Sequence, residues 1–461
     1  MSNPMLRKDG LSIIIVGGGK IGGSLVEQLY KEGHDITVID TDARIIQSLT
    51  ESYDVMGIVG NGASYTVQME AGVNKADLIV AVTNSDELNL LCCTVAKMVG
   101  NCAAISRVRT PDYNAEIPYL REKLGLAMVI NPEFETANEI SKILSLSSAL
   151  EINSFAHGQA ELIKFKIPDG NMLDGKTIAE IGRSIIASMV ICVVERGEQV
   201  YIPSGNFALK SGDILSFIAS RKAAKSFLSQ IGIPSHQVKD TMIIGGGKAA
   251  YYLATLLLHQ GISVKIIESD RKRCEELSIL LPKATIINGD GTDEELLIEE
   301  GIRRTESFIP LTGSDEANIL LTLNAQKISG AKVITKINHL NYKSVVGSLE
   351  LGSVIYPRYI CSEAIVAYVR AKKESRNSNI ETLYHLADHR VEALEFEVSE
   401  SSNVTGTPLF QLSLKQNLLI ACINRGGKII IPSGQDTIEV GDEVTVVTTH
   451  SGFRDLQDIL A

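Results

Sequence analysis

Two glycine clusters are the first residues in this sequence whose spacing could do chemistry. Gly17-Gly18-Gly19-Lys20-Ile21-Gly22 fits G-x-G-x-x-G and follows directly on the apolar run 12–16. There Gly17 permits a tight strand-to-helix turn, Gly19 lets the backbone approach a pyrophosphate, and Gly22 lets the helix lie close to the strand. Free N–H groups and the positive end of the helix dipole then face the phosphates. The cluster returns as Gly245-Gly246-Gly247-Lys248-Ala249-Ala250, with alanine at the third glycine position. The Ala250 methyl is expected to move the second helix slightly outward, leaving that site weaker or selective for a different ligand.

Each cluster has its acid. Asp40 and Glu268 close the next apolar run, roughly 20 residues on, where a carboxylate accepts hydrogen bonds from adenosine ribose hydroxyls. A 2′-phosphate would be repelled there. NAD or NADH is therefore favoured over the phosphorylated cofactor, and ATP or ADP, which share the adenosine, are also allowed. Further on, Thr83-Asn84-Ser85-Asp86 and Thr312-Gly313-Ser314-Asp315 follow a fourth apolar run. Hydroxyl and amide groups there suit ribose or phosphate, while Asp86 and Asp315 are expected to cap the helices that follow. Arg107 and Lys336, after a fifth run, either reach phosphate or stand as solvated surface charges. Gly60-Asn61-Gly62 and Gly289-Asp290-Gly291-Thr292 either flank the adenosine or form ordinary turns.

The elements that must position these residues come in duplicate. Gly17 maps onto Gly245 at an offset of 228, and from Asp86/Asp315 onward the offset is 229, through Asn89/Asn318, Arg107/Lys336, Tyr113/Tyr342 and Ile202-Pro203-Ser204-Gly205/Ile431-Pro432-Ser433-Gly434. In each half short β-branched runs (12–16, 36–39, 54–59, 78–82) alternate with helically spaced segments, the pattern of a Rossmann-like, doubly wound parallel sheet. From Ala160 the pattern changes to alternating strands (162–167, 189–195, 214–218) and glycine turns, repeated over 392–449, which predicts a small α+β or β-rich module. The fold class is thus α/β, with two Rossmann-like domains at 11–132 and 239–358 and two modules at 152–234 and 381–461. Helices are expected over 133–149 and 362–376, packing either on their own sheet or on another subunit.

Composition excludes several classes. A 44% hydrophobic and 21% charged chain of 461 residues is folded throughout, and its net charge of −11 with dispersed basic residues disfavours nucleic acid. No apolar run approaches the roughly 20 residues of a membrane span. Arg7, Lys8 and Asp9 lead straight into an apolar strand without a secretion-signal core, so a cytoplasmic chain is expected. The seven cysteines lack C-x-x-C spacing and read as reduced, mostly buried residues. His385 and His389, four apart on an expected helix, lack the Glu and third ligand of a zinc site. The eight histidines are otherwise scattered, so no acid–base constellation for a dehydrogenase, the main rival reading, emerges. Nor does a P-loop.

These glycine turns, with Asp40, Glu268, Gly289-Asp290-Gly291-Thr292-Asp293-Glu294, Arg107-Val108-Arg109 and the paired Ile-Pro-Ser-Gly and Gly-Asp signatures, are similar to the TrkA family of regulatory subunits of bacterial Trk potassium-uptake systems, built from tandem RCK (KTN) domains. The resemblance covers nearly the whole chain. It implies a non-enzymatic, cytoplasmic ring protein, peripheral at the inner face of the plasma membrane, that binds NAD(H) and ATP or ADP. Its partner would be a membrane potassium-transporting subunit of the TrkH/TrkG type, whose gate it biases, and its assembly a homotetramer or dimer of dimers. By position the nucleotide contacts would be Gly17, Gly18, Gly19, Lys20, Ile21, Gly22, Asp40, Thr83, Asn84 and Arg107 in the first half. In the second they would be Gly245, Gly246, Gly247, Lys248, Ala249, Glu268, Thr312 and Lys336. No metal and no catalytic residue is implied.

Overall fold

The computed structural model describes residues 10–100, 102–114, 116–181, 189–338, 346, 349–373, 380–387 and 390–461. Arg7, Lys8, Asp9, Tyr342 and His389, used in the sequence reading, lie outside them. The apolar runs around the first glycine turn assemble a six-stranded sheet in the order Met56–Val59, Asp35–Asp40, Ser12–Val16, Leu78–Ala81, Ala103–Arg107, Met128–Ile130. All its pairings are parallel. Helices cover both faces of such a sheet, which is why Ile13, Ile14, Ile15 and Val16 are all buried rather than alternating. The order reverses beside Ser12–Val16, and the carboxyl end of that strand is where a crevice opens. The second half repeats the topology: Thr285–Asn288, Ser263–Glu268, Asp240–Ile244, Ser307–Pro310, Lys332–Lys336, Ser353–Ile355.

Each module is a five-stranded antiparallel sheet. The first runs Gln199–Tyr201, Met189–Arg196, Ile214–Ala219, Ala160–Lys166, Glu151–Phe155, and the second Ile380–Leu386, Val391–Glu397, Asp442–Thr448, Leu418–Arg425, Lys428–Ile430. Their apolar faces meet: Phe155, Leu162, Cys192 and Val193 pack with Leu386, Ala393, Cys422 and Val447 in one core. The strand Ile380–Leu386 carries His385, so the expected helix around His385 is absent. Its antiparallel pairing with Val391–Glu397 overrides helical propensity.

The connecting helices run Pro132–Leu144 and Pro357–Lys373, each opened by proline in the first turn. Both cross over. Ala137, Ile140, Ile143 and Leu144 enter the core of the second parallel sheet beside Leu253 and Leu257, and Cys361, Ile365, Val366 and Val369 enter the core of the first beside Leu25 and Leu29. The two halves therefore exchange helices within one chain, in place of packing on their own sheet. Each buried aliphatic side chain contributes about 1.5–3 kcal/mol, so the exchange ties the halves into one body. No helix of the described residues is long and apolar enough to cross a membrane.

Candidate functional site

At the first turn Gly17 has φ +98°, and a Cβ on Gly22 would lie 1.9 Å from the Gly17 carbonyl oxygen. Only glycine fits there. A Cβ on Gly19 would meet nothing within 4 Å, so this residue faces open space, as a backbone that approaches a ligand must. The helix Lys20–Lys31 starts there with no side-chain cap, leaving its first N–H groups for an anion. Asp40 is held by that turn: Gly18 N donates to Oδ2 at 2.7 Å and Asp42 N to Oδ1 at 2.9 Å. Lone pairs on both oxygens remain for ribose hydroxyls. The second turn repeats this, with Gly245 at φ +96° and Gly246 N and Asp270 N on the two oxygens of Glu268 at 2.6 and 2.8 Å. Here Ala250 stands in the place of Gly22 and is fully buried. Arg273 also donates to the Gly246 carbonyl at 2.7 Å, where the first half has Ile45. The residues present thus fit a nucleotide carrying a diphosphate and an adenosine ribose in either crevice.

The strand ends beyond each turn are clamped by an asparagine. Asn89 Oδ1 accepts from Thr83 N and Oγ1 (2.8 and 2.7 Å), and its Nδ2 donates to the Arg107 carbonyl at 3.0 Å. Asn318 does the same for Thr312 and the Lys336 carbonyl. Thr83 and Thr312 are therefore positioned at the crevice, with their hydroxyls turned to the clamp. Arg107 is buried, not a solvated charge: its guanidinium donates to the Thr83 carbonyl and lies 3.5 Å from Asn84 Oδ1, and burial lowers its pKa to about 10. Lys336 likewise donates inward, to the Leu311 carbonyl at 3.1 Å, and burial lowers its pKa.

Asp86 and Asp315 do not cap their helices. Ser85 and Ser314 do, accepting from Leu88 N and Ala317 N. Asp86 instead reaches back across the crevice and accepts from Arg109 N, Thr110 N and Thr110 Oγ1 at 2.7–2.9 Å. Burial opposes its charge, but Thr110 and the backbone of Arg109 and Thr110 hold its pKa below the usual carboxylate range. Asp315 accepts from Asn338 N and Nδ2 in the same way. The loop glycines have structural roles: a Cβ on Gly62 would lie 2.1 Å from Val16 and one on Gly291 2.2 Å from Ile244, while Asn61 and Asp290 close the turns by accepting from Ala63 N and Thr292 N.

The two crevices also touch. Lys248 Nζ donates to Thr110 Oγ1 at 3.1 Å, and Tyr252 Oη, held by Asn131, donates to the Arg109 carbonyl at 3.0 Å. Arg109 further donates to the Asn84 carbonyl and lies 3.8 Å from Glu133, whose pKa burial raises against the pull of Arg109, Arg107 and Lys248. Lys248, expected in the second site, thus stands between both. Sequence reasoning missed Arg109, Thr110, Glu133 and Tyr252 as crevice residues. The first two sit within three residues of Arg107, and the Asn89/Asn318 pairing was the available signal for the clamp. Lys20 and Ile21 lie in the first turn of the first helix and Ala249 in that of the second.

Models of the TrkA-N domain match residues 13–132 and 241–357, and models of the TrkA-C domain match 162–232 and 393–461. The Trk system potassium uptake protein TrkA of Haemophilus influenzae is 29% identical over 441 residues, 95% of either chain. The TrkA homolog of Archaeoglobus fulgidus is 31% identical over 450 residues, covering 97% of this chain and all of its own. Among solved structures, the GsuK channel bound to NAD aligns with a TM-score of 0.62 at 17% identity, over 96% of this chain and 78% of that one. The GsuK RCK domain aligns with the same score and identity over 96% and 93%. A duplicated sheet with a glycine turn and acid in each copy, each followed by an antiparallel module, and a match of this extent lead to one assignment: the chain belongs to the TrkA family.

Proposed function

We propose that this chain is a nucleotide-responsive regulatory subunit of a Trk-type potassium-uptake system, taking NAD or NADH, or ATP or ADP, in two crevices and biasing the gate of a membrane potassium-conducting partner. The observation that carries the reading is the exchange of the helices Pro132–Leu144 and Pro357–Lys373, which couples each glycine turn to the opposite half. A ligand that draws one helix start toward its phosphates moves an element rooted in the other half. It shifts the assembly only by the difference in its affinity for two conformations, about 1.4 kcal/mol per tenfold. Relatives named as Trk potassium uptake proteins, and similar structures of GsuK bound to NAD and to ADP, support ligand and system alike. In this reading 11–132 and 239–358 hold nucleotide, 152–234 and 381–461 transmit or modulate the response, and the chain works as a tetramer at the inner membrane face.

A dehydrogenase is disfavoured because, among the described residues, no histidine stands at the first crevice and Asp86 and Arg107 there are already engaged, with Thr110 and with the Thr83 carbonyl. The test is calorimetry on the full chain with NADH, NAD, ATP and ADP, on Asp40→Ala and Glu268→Ala. Each substitution removes charge-assisted hydrogen bonds worth about 1.5–3 kcal/mol, so one of two binding events should weaken roughly ten- to hundredfold. Unchanged affinity in both variants, or steady oxidation of NADH, overturns the reading.

A further inference from the structure

The connecting helices Pro132–Leu144 and Pro357–Lys373 pack against each other where the halves cross. Beside that crossing lies a cavity of about 910 Å³, walled by both helices and by the first strands of the two antiparallel sheets, Glu151–Phe155 and Ile380–Leu386. No residue of either glycine turn lines it. We propose that Glu139, which faces this cavity from the first helix, makes the seam between the halves proton-operated: protonated, it lets the two helices close on the cavity, and ionised, it drives them apart.

The geometry sets carboxylates of both halves around one space. Glu135 and Glu139 enter it from the first helix, Glu151 from the first antiparallel sheet, Glu363 from the second helix and Glu381 from the second antiparallel sheet. Glu363 is met by His385 Nδ1 at 3.3 Å and Glu151 by Asn153 Nδ2 at 2.7 Å, but Glu139 has no hydrogen bond or ion pair among the described residues. The cations that line the cavity are engaged elsewhere. Lys164 and Arg390 face Glu195 at 2.7 and 4.0 Å, and Glu363 shares His385 with Glu392, which lies 3.6 Å from it. The second half does not repeat the arrangement: at the 229-residue offset Tyr368 stands for Glu139, Ala364 for Glu135 and Ile380 for Glu151.

Burial works first against an ionised Glu139, the like charges of Glu151, Glu363 and Glu135 add to it, and Lys142 on the same helix opposes them; together they raise its pKa from 4.5 to about 8. Burial also raises Glu363 against the pull of His385, and Glu135 against Asn138 and Lys142. The Tyr384 phenol, which donates to the Ser154 carbonyl at 3.3 Å, is raised by burial and by Glu139 and Glu363, so it stays neutral. Opening the seam admits water and returns Glu139 toward its ordinary value, so opening releases a proton. The closed seam therefore has its full advantage below pH 4.5 and loses it as pH rises to about 8, a window that contains neutrality. Ile140 and Ile143, beside Glu139 on the helix, are rooted in the core of the second parallel sheet, so a displacement there shifts one half against the other.

Hydrogen exchange on the nucleotide-free full chain, corrected for intrinsic rate and followed from about pH 5.5 to 8.5, reads the seam directly. Amides of 132–144 and 357–373 should lose protection about tenfold or more over that range. Glu139→Gln keeps the shape and removes the charge, so it should hold the high protection throughout and raise Tm at the alkaline end but not at the acid end. Glu139→Asp keeps a carboxyl and should retain the response, as should His385→Gln. Protection that does not change with pH in the unsubstituted chain, or that falls equally in Glu139→Gln, overturns the proposal. The outcome is independent of whether nucleotide binds.

Discussion

The two junctions where the exchanged helices land are built from different chemistry. Glu32 and Gln260, matched by the 228-residue offset, cap the C-termini of the two glycine-turn helices, and each reaches the helix contributed by the other half. Glu32 meets Arg370 at 2.6 Å, and Arg370 continues to Glu392, which His385 and then Glu363 extend. The Gln260 side chain donates to the Ser141 hydroxyl, at 2.8 Å. One junction is a chain of alternating charges with Arg370 6% and Glu392 5% exposed; the other is a neutral hydrogen bond on an apolar helix pair. The lesson is that a duplicated fold need not divide its stiffness evenly. The helix behind the first turn is tied to the other half by buried charge at its C-terminus, whereas Lys248–His259 is tied by neutral bonds there and, nearer its start, by Lys248 to Thr110 and Tyr252 to the Arg109 carbonyl.

Breaking the charged junction should have the largest effect. Arg370→Ala removes the guanidinium that Glu32 and Glu392 share, leaving His385 alone beside Glu392, and should cost about 3–5 kcal/mol. Gln260→Ala removes one ordinary hydrogen bond and should cost about 0.5–1.5 kcal/mol. Urea unfolding of the full chain measures both, and equal midpoint shifts would erase the distinction.

The same junction should respond to pH. Burial works against a charged His385, but Glu363 and Glu392 outweigh it and raise its pKa from 6.5 to about 9. A group raised in the folded state contributes its full stability below pH 6.5 and loses it as pH rises through 9, about 2–3 kcal/mol over that window. His385→Gln should flatten the loss. At the Gln260 junction Ser141 offers no such titration, so a decline that survives the substitution would place its origin elsewhere.

The turns themselves offer a reciprocal pair. In Gly22→Ala the new methyl would sit 1.9 Å from the Gly17 carbonyl, so the helix must move, with an expected cost of about 1–3 kcal/mol and a loss of tenfold or more in first-site affinity. Ala250→Gly restores the glycine pattern in the second turn and should cost no more than about 1 kcal/mol, from helix propensity. Calorimetry with an adenine nucleotide reads both, and a first turn that tolerates alanine without loss would mean the helix starts are equivalent after all.

Much of this was legible in the chain. The β-branched runs, the glycine spacing and the repeat specify the parallel sheets because each obeys a local rule: buried strands are uniformly apolar, and tight turns need glycine. The exchange of helices was not, since the apolar stripe of Ile140, Ile143 and Leu144 fits either sheet equally and only three-dimensional reach selects the partner. Asp86 looked like a cap because it follows a strand end; Ser85, one residue earlier, satisfies the helix and frees Asp86 to bridge to Thr110. His385 looked helical beside His389, but the antiparallel partner Val391–Glu397 lies far too close in sequence to leave room for anything but a hairpin.

The finest difference lies at the phosphate end of the crevices. Arg107 and Arg109 in the first half stand where the second has Lys336 and Asn338, so the first carries one more cation near the clamp, the Arg109 guanidinium. That guanidinium is partly engaged, with the Asn84 carbonyl and, at 3.5 Å, with Asp86, and it is 22% exposed, so its pull on a ligand is weakened by solvent. Exchanging the residues should therefore move affinities modestly. In a Glu268→Ala background that isolates the first site, Arg109→Asn should weaken ATP about three- to fivefold, roughly 0.7–1 kcal/mol, and the deficit should shrink as salt rises. In an Asp40→Ala background, Asn338→Arg should strengthen ATP at the second site by a similar factor. If neither exchange moves the affinity for ATP relative to ADP, the crevices read phosphate through backbone alone, and the two halves differ only in how firmly their helices are anchored.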